Sequence, residues 1–191
     1  MKSLERFNRI LMDEKPSDFI KANENYLFDL IPDLFRCKGF NQRNPWHPYD
    51  VYEHTLRVVD GVPADYTLRV AALFHDIGKP HVQTIDKDGI GHYYNHWASS
   101  KDIFDRFCHQ NRIEHSEETD SINRLIFYHD INVDKLSEKE LACIVNLLGY
   151  DDVIRLFKLK RADLLAQAEQ YHYILNDYDR QEDMILKKIG K

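Results

Sequence analysis

The chain lacks the signatures of membrane-spanning, secreted and disulfide-bonded proteins. It has three cysteines, Cys37, Cys108 and Cys143, which form neither a CxxC zinc pattern nor an even-numbered disulfide framework. No apolar run approaches the ~20 residues that a membrane-spanning helix needs. No charged leader followed by an apolar segment opens the sequence. These absences predict reduced cysteines in a cytoplasmic protein that has no contact with a membrane.

The sequence also lacks an excess of basic residues. Its 26 Lys and Arg are outnumbered by 32 Asp and Glu, which gives a formal net charge of −6. This balance argues against a broad basic face that coats nucleic acid, although it leaves room for a local basic pocket. The apolar fraction of 43% excludes a mainly disordered chain. With no repeat or long linker to divide it, residues 1–191 are predicted to form one domain.

Apolar residues recur at helical spacing along most of the chain. They predict helices at about 3–13, 17–34, 50–60, 65–77, 96–110, 117–129, 137–148, 150–168 and 170–187. One segment differs, because Asp88-Gly89 lies between short β-branched and aromatic stretches, a pattern typical of a hairpin. The predicted fold class is therefore all-α, with one small β-hairpin near residues 82–94.

The pair His75-Asp76 is the most informative feature of the chain. It follows the apolar run 71–74, and Gly78 and Pro80 then end the helix, so the pair lies where a helix opens into a loop. An imidazole and a carboxylate directed into one cleft supply half of a mixed nitrogen and oxygen metal site.

Two further residues are candidates for the other half of that site. Asp50 and Glu53 have capping-box spacing, which starts a helix and places His54 about one turn inside it. If that helix packs antiparallel to the helix that ends at His75, the two ends meet. Asp163 lies in a later helical stretch. There it is a metal ligand, a solvated residue, or the partner of Lys160 in an intrahelical pair that contributes only about a few tenths of a kcal/mol.

The order His54, His75-Asp76, Asp163 resembles the ligand series of the HD superfamily of metal-dependent phosphohydrolases. The likeness is greatest to the HD region of bacterial tRNA nucleotidyltransferases and poly(A) polymerases. The segments that carry it are NPWHPYDVYEHTL at 44–56, LRVAALFHDIGKP at 68–80, IGHYYNH at 90–96 and LKRADLLAQ at 159–167. At residues 94–96 the family pattern often reads Tyr-Gly-His, whereas this chain has Asn95.

The resemblance implies a domain organisation. We expect an HD-domain helical bundle with a helical lead-in at 1–34, a core at 35–170 and a C-terminal helix at 171–191. The nucleotidyltransferase head of the similar family is not expected, because residues 1–34 contain neither its Gly-Ser start nor its paired aspartates. The polymerase activity of those relatives is therefore not transferred.

The resemblance also implies roles for individual side chains. The expected ligands of a divalent ion are His54, His75, Asp76 and Asp163. A second ion, or the substrate, would be bound by His96 and His129. Catalytic roles fall to Asp76 and Lys79, and phosphate contacts to Lys79 and Arg161. Imidazole and carboxylate together admit Mn, Mg, Fe, Ni or Zn, in one or two copies. The other histidines are interpreted as surface or structural residues, namely His47, His81, His92, His109, His115 and His172.

The predicted function is metal-dependent hydrolysis by a phosphodiesterase or phosphatase. A divalent ion lowers the pKa of bound water and polarises the phosphoryl group, and Lys79 would neutralise the charge that develops on its oxygens. The substrate would be a nucleotide or another phosphorylated small molecule, or the terminal phosphate of an RNA. The alternative is a non-catalytic RNA- or nucleotide-binding module that keeps a structural metal site. The complete ligand series favours the enzyme, and the oligomeric state stays open.

Overall fold

Four short helices open the chain. The computed structural model describes residues 2–132 and 135–188, and it begins with α1 (Lys2–Leu11), α2 (Pro16–Ala22), α3 (Glu24–Leu30) and α4 (Pro32–Cys37). The prediction of one helix over 17–34 is wrong, since the chain breaks at Asn23 and again at Ile31. Ile31 leaves the helical region, with φ −134° and ψ 80°, because Pro32 follows it, and Pro32 then starts α4, where its missing N–H costs nothing.

The remaining elements follow in order along the chain. They are α5 (Val51–Gly61), α6 (Tyr66–Phe74), α7 (Lys79–Val82), β1 (Thr84–Ile85), β2 (Gly91–His92), α8 (His96–Gln110), α9 (Glu117–Tyr128), α10 (Glu138–Leu148), α11 (Tyr150–Leu165) and α12 (Leu175–Lys188), with a 3-10 helix at Glu169–Ile174 before α12. The all-α fold class is confirmed. No helix within the described ranges is long and apolar enough to cross a membrane.

The helix α6 forms the centre of the bundle. Every residue from Thr67 to Phe74 is buried, and α6 packs against α1, α5, α8, α9 and α11. A helix that is apolar on all sides is stable only when neighbours cover it on all sides. The end of α6 therefore opens into the interior of the bundle rather than into solvent, and it carries His75-Asp76 there.

Local signals position the neighbouring helix α5. The Asp50 carboxylate accepts a hydrogen bond from the backbone N–H of Glu53 at 2.7 Å, as the capping spacing predicts. The Asp65 carboxylate caps α6 in the same way through the N–H of Leu68 at 3.0 Å. With a link of four residues between them, α5 and α6 pack side by side, which brings His54 near the end of α6.

The predicted hairpin is present between α7 and α8. Thr84 pairs with His92 and Ile85 pairs with Gly91 in an antiparallel ladder. Asn95 follows the hairpin and directly precedes α8, and it has a φ of +61°. Glycine adopts this left-handed region at least cost and asparagine is among the residues that tolerate it, so Asn95 can replace the glycine common in the similar family.

A close approach at Gly78 joins the end of α6 to the start of α8. The Gly78 N–H donates to Ser100 Oγ at 2.9 Å. A side chain at residue 78 would place its Cβ 2.5 Å from the His96 carbonyl oxygen and 2.6 Å from the Ser100 nitrogen. Only glycine fits here, and the contact holds His96 beside Asp76.

The helix α12 begins at Leu175, within the predicted C-terminal segment 171–191. Residues 169–174 form the 3-10 helix, and α12 then packs against α11 and α10. Residues 189–191 lie outside the described residues. The boundaries of the lead-in, core and C-terminal helix stay predictions.

Candidate metal centre

The structure brings the four predicted metal ligands together. His54 Nε2 from α5 lies 3.4 Å from Asp76 Oδ2 and 3.0 Å from Asp163 Oδ1 of α11. His75 Nε2 lies 3.3 Å and 4.0 Å from the same two oxygens. Two atoms that are each about 2.1 Å from one ion lie roughly 3.0 Å apart at a right angle and roughly 3.4 Å apart at a tetrahedral angle. Among the described residues, His54, His75 and Asp76 therefore converge at spacings that suit a metal ion, and Asp163 lies beside His54; these four side chains are called the first ligand group.

A second ligand group shares Asp76. His96 lies at the start of α8 and His129 directly after α9, and their Nε2 atoms are 3.3 Å and 3.6 Å from Asp76 Oδ1. The two Nε2 atoms are 3.0 Å apart. Asp76 thus presents Oδ2 to the first group and Oδ1 to the second, as a carboxylate does when it bridges two ions.

Backbone carbonyls orient three of the imidazoles. The Nδ1 atoms of His75, His96 and His129 lie 2.7, 2.9 and 2.7 Å from the carbonyl oxygens of Ala72, Tyr93 and Ile126. A carbonyl only accepts, so each Nδ1 carries the proton, and in the neutral ring Nε2 is then a lone pair. This is the tautomer that binds metal through Nε2. Lone pairs and carboxylate oxygens face one another, an arrangement that needs positive charge between them.

Most of this cluster is buried without hydrogen-bond partners. His54 and His75 are 0% exposed and Asp76 is 1% exposed. Among the described residues, no hydrogen-bond partner of suitable geometry is found for the Nε2 atoms of His54 and His75 or for Asp76 Oδ1, while Asp76 Oδ2 has the Lys79 ammonium at 2.6 Å. Burial of unpartnered polar atoms costs free energy unless something binds them, so the donor set fits a divalent ion. The Asp163 side chain is 20% exposed and opens the cluster to solvent.

The electrostatics of the cluster follow from this crowding. Burial alone would favour the neutral acid at Asp76, but the charges of His75 and Lys79 outweigh it and hold the pKa of Asp76 well below its usual value. Burial likewise opposes protonation of His75, yet the Asp76 carboxylate raises the pKa of His75. At His129, burial and the neighbouring His96 lower the pKa. Asp76 is therefore ionised and ready to bind a cation.

Asp163 is likewise held in its charged form. Burial would raise its pKa, but the nearby imidazoles of His54, whose Nε2 lies 3.0 Å from Asp163 Oδ1, and His75 hold that pKa well below its usual value. Lys160, the alternative partner in the same helix, instead donates to the His129 carbonyl oxygen at 2.7 Å. The placement of Asp163 therefore favours the ligand interpretation over the intrahelical pair.

Lys79 lies at the edge of the cluster. Its side chain reaches back from the start of α7, with Nζ 2.6 Å from Asp76 Oδ2 and within hydrogen-bonding distance of Gln42 Oε1 at 2.9 Å. Lys79 is only 5% exposed. A buried positive charge thus lies beside the shared carboxylate, and the phosphate role of Lys79 stays a prediction.

The structure does not bring Arg161 to the cluster. Its guanidinium bonds Asp179 and, at 2.6 Å, Glu182, both on α12. Arg161 and Asp163 are two positions apart on α11, so they project about 200° apart around the helix. The predicted phosphate contact therefore gains no support from the position of Arg161, which instead ties α11 to α12.

His47 lies near the cluster, although the sequence analysis interpreted it as a surface or structural histidine. Its ring packs edge-on against His54, with centroids 5.1 Å apart. Burial, together with the charges of Lys79 and His54, lowers the pKa of His47 to about 2. The sequence feature that could have indicated a role for His47 is its position inside segment 44–56, one of those that resemble the HD family. By contrast, three other histidines form ion pairs with carboxylates outside the cluster, namely His81, His92 and His115.

The chain shares its sequence pattern with known proteins. A model of the HD domain family matches residues 47–168. The chain is 29% identical over 153 residues to a multifunctional CCA protein of Cupriavidus necator, covering 77% of this chain and 36% of that protein. It is 31% identical over 115 residues to a multifunctional CCA protein of Thioalkalivibrio sulfidiphilus, covering 57% and 27%. The chain spans about a third of the length of these curated relatives.

These similarities confirm the resemblance that the motifs indicate. The family match contains His54, His75-Asp76, His96, His129 and Asp163. HD domains bind divalent metal ions, and two clusters that share Asp76 could hold them: His54, His75 and Asp76, and Asp76, His96 and His129. The chain belongs to the HD domain family, whose members are in general metal-dependent phosphohydrolases.

Proposed function

We propose that this protein is a metal-dependent phosphohydrolase, a phosphodiesterase or phosphatase that acts on a nucleotide or on an RNA-terminal phosphate. The observation that carries the proposal is the shared carboxylate, because Asp76 faces one ligand group with each oxygen. Lys79 beside it supplies a positive charge for a phosphate. A nucleotide or an RNA end as the substrate is supported by the similarity to multifunctional CCA proteins.

The two ligand groups would each hold one ion. His54, His75, Asp76 and Asp163 would form one site, and Asp76, His96 and His129 the other. When bound, the ions supply Lewis-acid chemistry, lowering the pKa of a water molecule and polarising the phosphoryl group. Four imidazoles against two carboxylates favour Mn, Fe, Ni or Zn over Mg, which prefers oxygen ligands.

The chain's own side chains prepare the reaction. The backbone carbonyls that accept from Nδ1 of His75, His96 and His129 lock each ring in its metal-binding tautomer. Burial of Asp76 excludes bulk water and strengthens its interactions with cations. Lys79 would neutralise the negative charge on the phosphoryl oxygens as the scissile P–O bond breaks, a role that electrostatic preorganisation makes effective.

The setting of the enzyme is part of the same proposal. Cys37, Cys108 and Cys143 are all unpaired, in accord with a reducing, cytoplasmic compartment. The net charge of −6 suits a phosphorylated small molecule or a single RNA end better than a long nucleic-acid track.

The test is a substrate panel with metal-quantified protein. Purified protein loaded in turn with Mn, Mg, Fe, Ni and Zn is assayed on phosphomonoesters, cyclic nucleotides, dinucleotides and RNA oligomers with terminal phosphates. We expect hydrolysis, seen as phosphate released from a monoester or as a phosphomonoester formed from a diester, that disappears in Asp76→Asn and persists in His115→Ala, whose exposed ring pairs with Asp120. Fully loaded protein that binds RNA or nucleotide without turnover would support the binding module instead.

A further inference from the structure

His47 lies outside both ligand groups but is held firmly against one of them. Its ring contacts His54 at an interplanar angle of 84°, the edge-to-face arrangement. Its backbone N–H donates to the Asn44 carbonyl oxygen at 3.1 Å. The preceding Trp46 stacks on Tyr171 with ring centroids 3.5 Å apart. The position of the His47 imidazole is therefore fixed by its contact with His54 and by the anchored backbone of residues 46 and 47.

This fixed imidazole has an unused polar atom. His47 Nδ1 is buried and has no hydrogen-bond partner among the described residues. Most buried polar atoms in folded proteins have a hydrogen-bond partner. A buried polar atom without one has lost its hydrogen bonds to water, and this desolvation costs free energy. The His47 ring lies against His54 of the cluster, and it lines the same cleft as Lys79 and His96. The missing partner is therefore to be sought in what binds at the cluster.

His47 also lines the cleft that leads to the cluster. The cleft has a volume of about 410 Å³, and its walls include His47, Lys79, His96, Asn44 and Tyr94. This volume lies near the lower end of the range of small-ligand pockets, ~300–1,000 Å³. His47 and Lys79 together face the space in which the phosphate of a bound substrate would lie.

We propose that His47 is a substrate-binding residue whose imidazole hydrogen-bonds a phosphate oxygen in this cleft, together with Lys79. His47 belongs to neither group of converging ligand atoms that the described residues form, so it is assigned to the phosphate and not to a metal ion. The inference deepens the proposed function and rests on it for the identity of the bound group.

Two variants separate hydrogen bonding from packing. His47→Phe keeps an aromatic ring against His54 and removes both nitrogens. His47→Asn loses the ring but places an amide near the position of Nδ1. His115→Phe makes the same chemical change at a histidine whose side chain is 83% exposed. Each metal-loaded protein is titrated with inorganic phosphate in a calorimeter, and its metal content is measured in parallel.

We expect His47→Phe to weaken phosphate binding by about ten- to a hundredfold, as for a lost hydrogen bond to a charged group, with metal content unchanged. His47→Asn should retain most of the affinity, and His115→Phe all of it. Unaltered binding in His47→Phe with weakened binding in His47→Asn would show a packing role and overturn the proposal. Loss of metal in His47→Phe would overturn it too.

The titration also separates this inference from the proposed function. Phosphate binding needs no turnover, so a protein that hydrolyses nothing on the substrate panel still reports on His47. If the metal-loaded parent protein does not bind phosphate at all, the assignment of His47 is overturned, whatever the panel shows.

Discussion

The Nε2 atoms of His96 and His129 face each other at 3.0 Å, although both rings already direct Nδ1 at a backbone carbonyl. In the neutral rings both facing atoms are acceptors, and two acceptors at this distance repel each other unless a proton or a metal ion lies between them. His75 Nε2 and Asp76 Oδ2, at 3.3 Å, meet the same condition. Helix ends thus hold these acceptors together, and bound ions would relieve their repulsion.

Divalent ions are expected to stabilise the folded protein. Ligand that binds only the native state at a hundredfold excess over its Kd adds about 2.7 kcal/mol to the free energy of unfolding. The midpoint of thermal unfolding should rise on addition of Mn or Zn and fall again with a chelator. In Asp76→Asn, which lacks the shared carboxylate charge, the rise should be much smaller. An equal rise in both proteins would place the stabilising ion elsewhere.

Removal of one histidine of the second group should remove one ion. His129→Ala leaves His54, His75, Asp76 and Asp163 in place, so metal content should fall from about two ions per chain to about one. Elemental analysis after gel filtration measures this ratio. His115→Ala, which changes an exposed histidine, should keep both ions. A parent protein with a single ion that His129→Ala also retains would argue against the second site.

Lys79→Ala should weaken catalysis and leave metal content unchanged. The ammonium group lies 2.6 Å from Asp76 Oδ2, but it carries no lone pair for a metal. Loss of one electrostatic contact to the transition state is expected to reduce kcat/KM about ten- to a thousandfold, or about 1.4–4 kcal/mol. Gln42→Leu keeps Lys79 and removes one of the partners of Nζ, together with the Gln42 hydrogen bond to the Tyr49 carbonyl oxygen, and a smaller loss is expected. Unchanged kinetics in Lys79→Ala would exclude the phosphate role.

Metal affinity should fall as the pH falls. The Asp76 carboxylate overcomes the effect of burial and raises the pKa of His75, so the ring binds a proton more readily in the absence of metal than an ordinary histidine does. A metal ion must displace that proton, and each displaced proton lowers the apparent affinity by up to about tenfold per pH unit below the pKa. Calorimetry in buffers of different ionisation enthalpy counts the protons released. Proton-free binding at pH 6 would contradict this expectation.

Gly78→Ala should perturb the second group through packing alone. The added Cβ would lie 2.5 Å from the His96 carbonyl oxygen, so α8 must move or the turn must shift. Overpacking of this kind costs about 1–3 kcal/mol of stability. Urea unfolding measures the cost, and metal content should fall toward one ion because His96 moves away from Asp76. A variant as stable as the parent, with both ions, would show that the turn adapts.

Several features of this protein follow from the sequence alone because they depend on neighbours along the chain. The cap at Asp50, the turn around Asp88-Gly89 and the end of the apolar run before His75 are local signals, and the structure has each of them. The proximity of His54, His75, Asp76 and Asp163 is not a local signal, because these residues lie far apart in sequence. It could be predicted only because their order resembles the ligand order of a known family.

Other features depended on contacts between residues far apart in sequence. The break at Asn23 needed packing information beyond helical periodicity, and the close approach of Gly78 to His96 could not be read from either segment. Arg161 was expected at the phosphate, but Asp179 and Glu182 on α12 bind it instead. His47 shows no helical or ligand spacing, and only the folded chain places it against His54. Periodicity and capping act over a few residues, whereas the environment of a side chain is set by the helices that close around it.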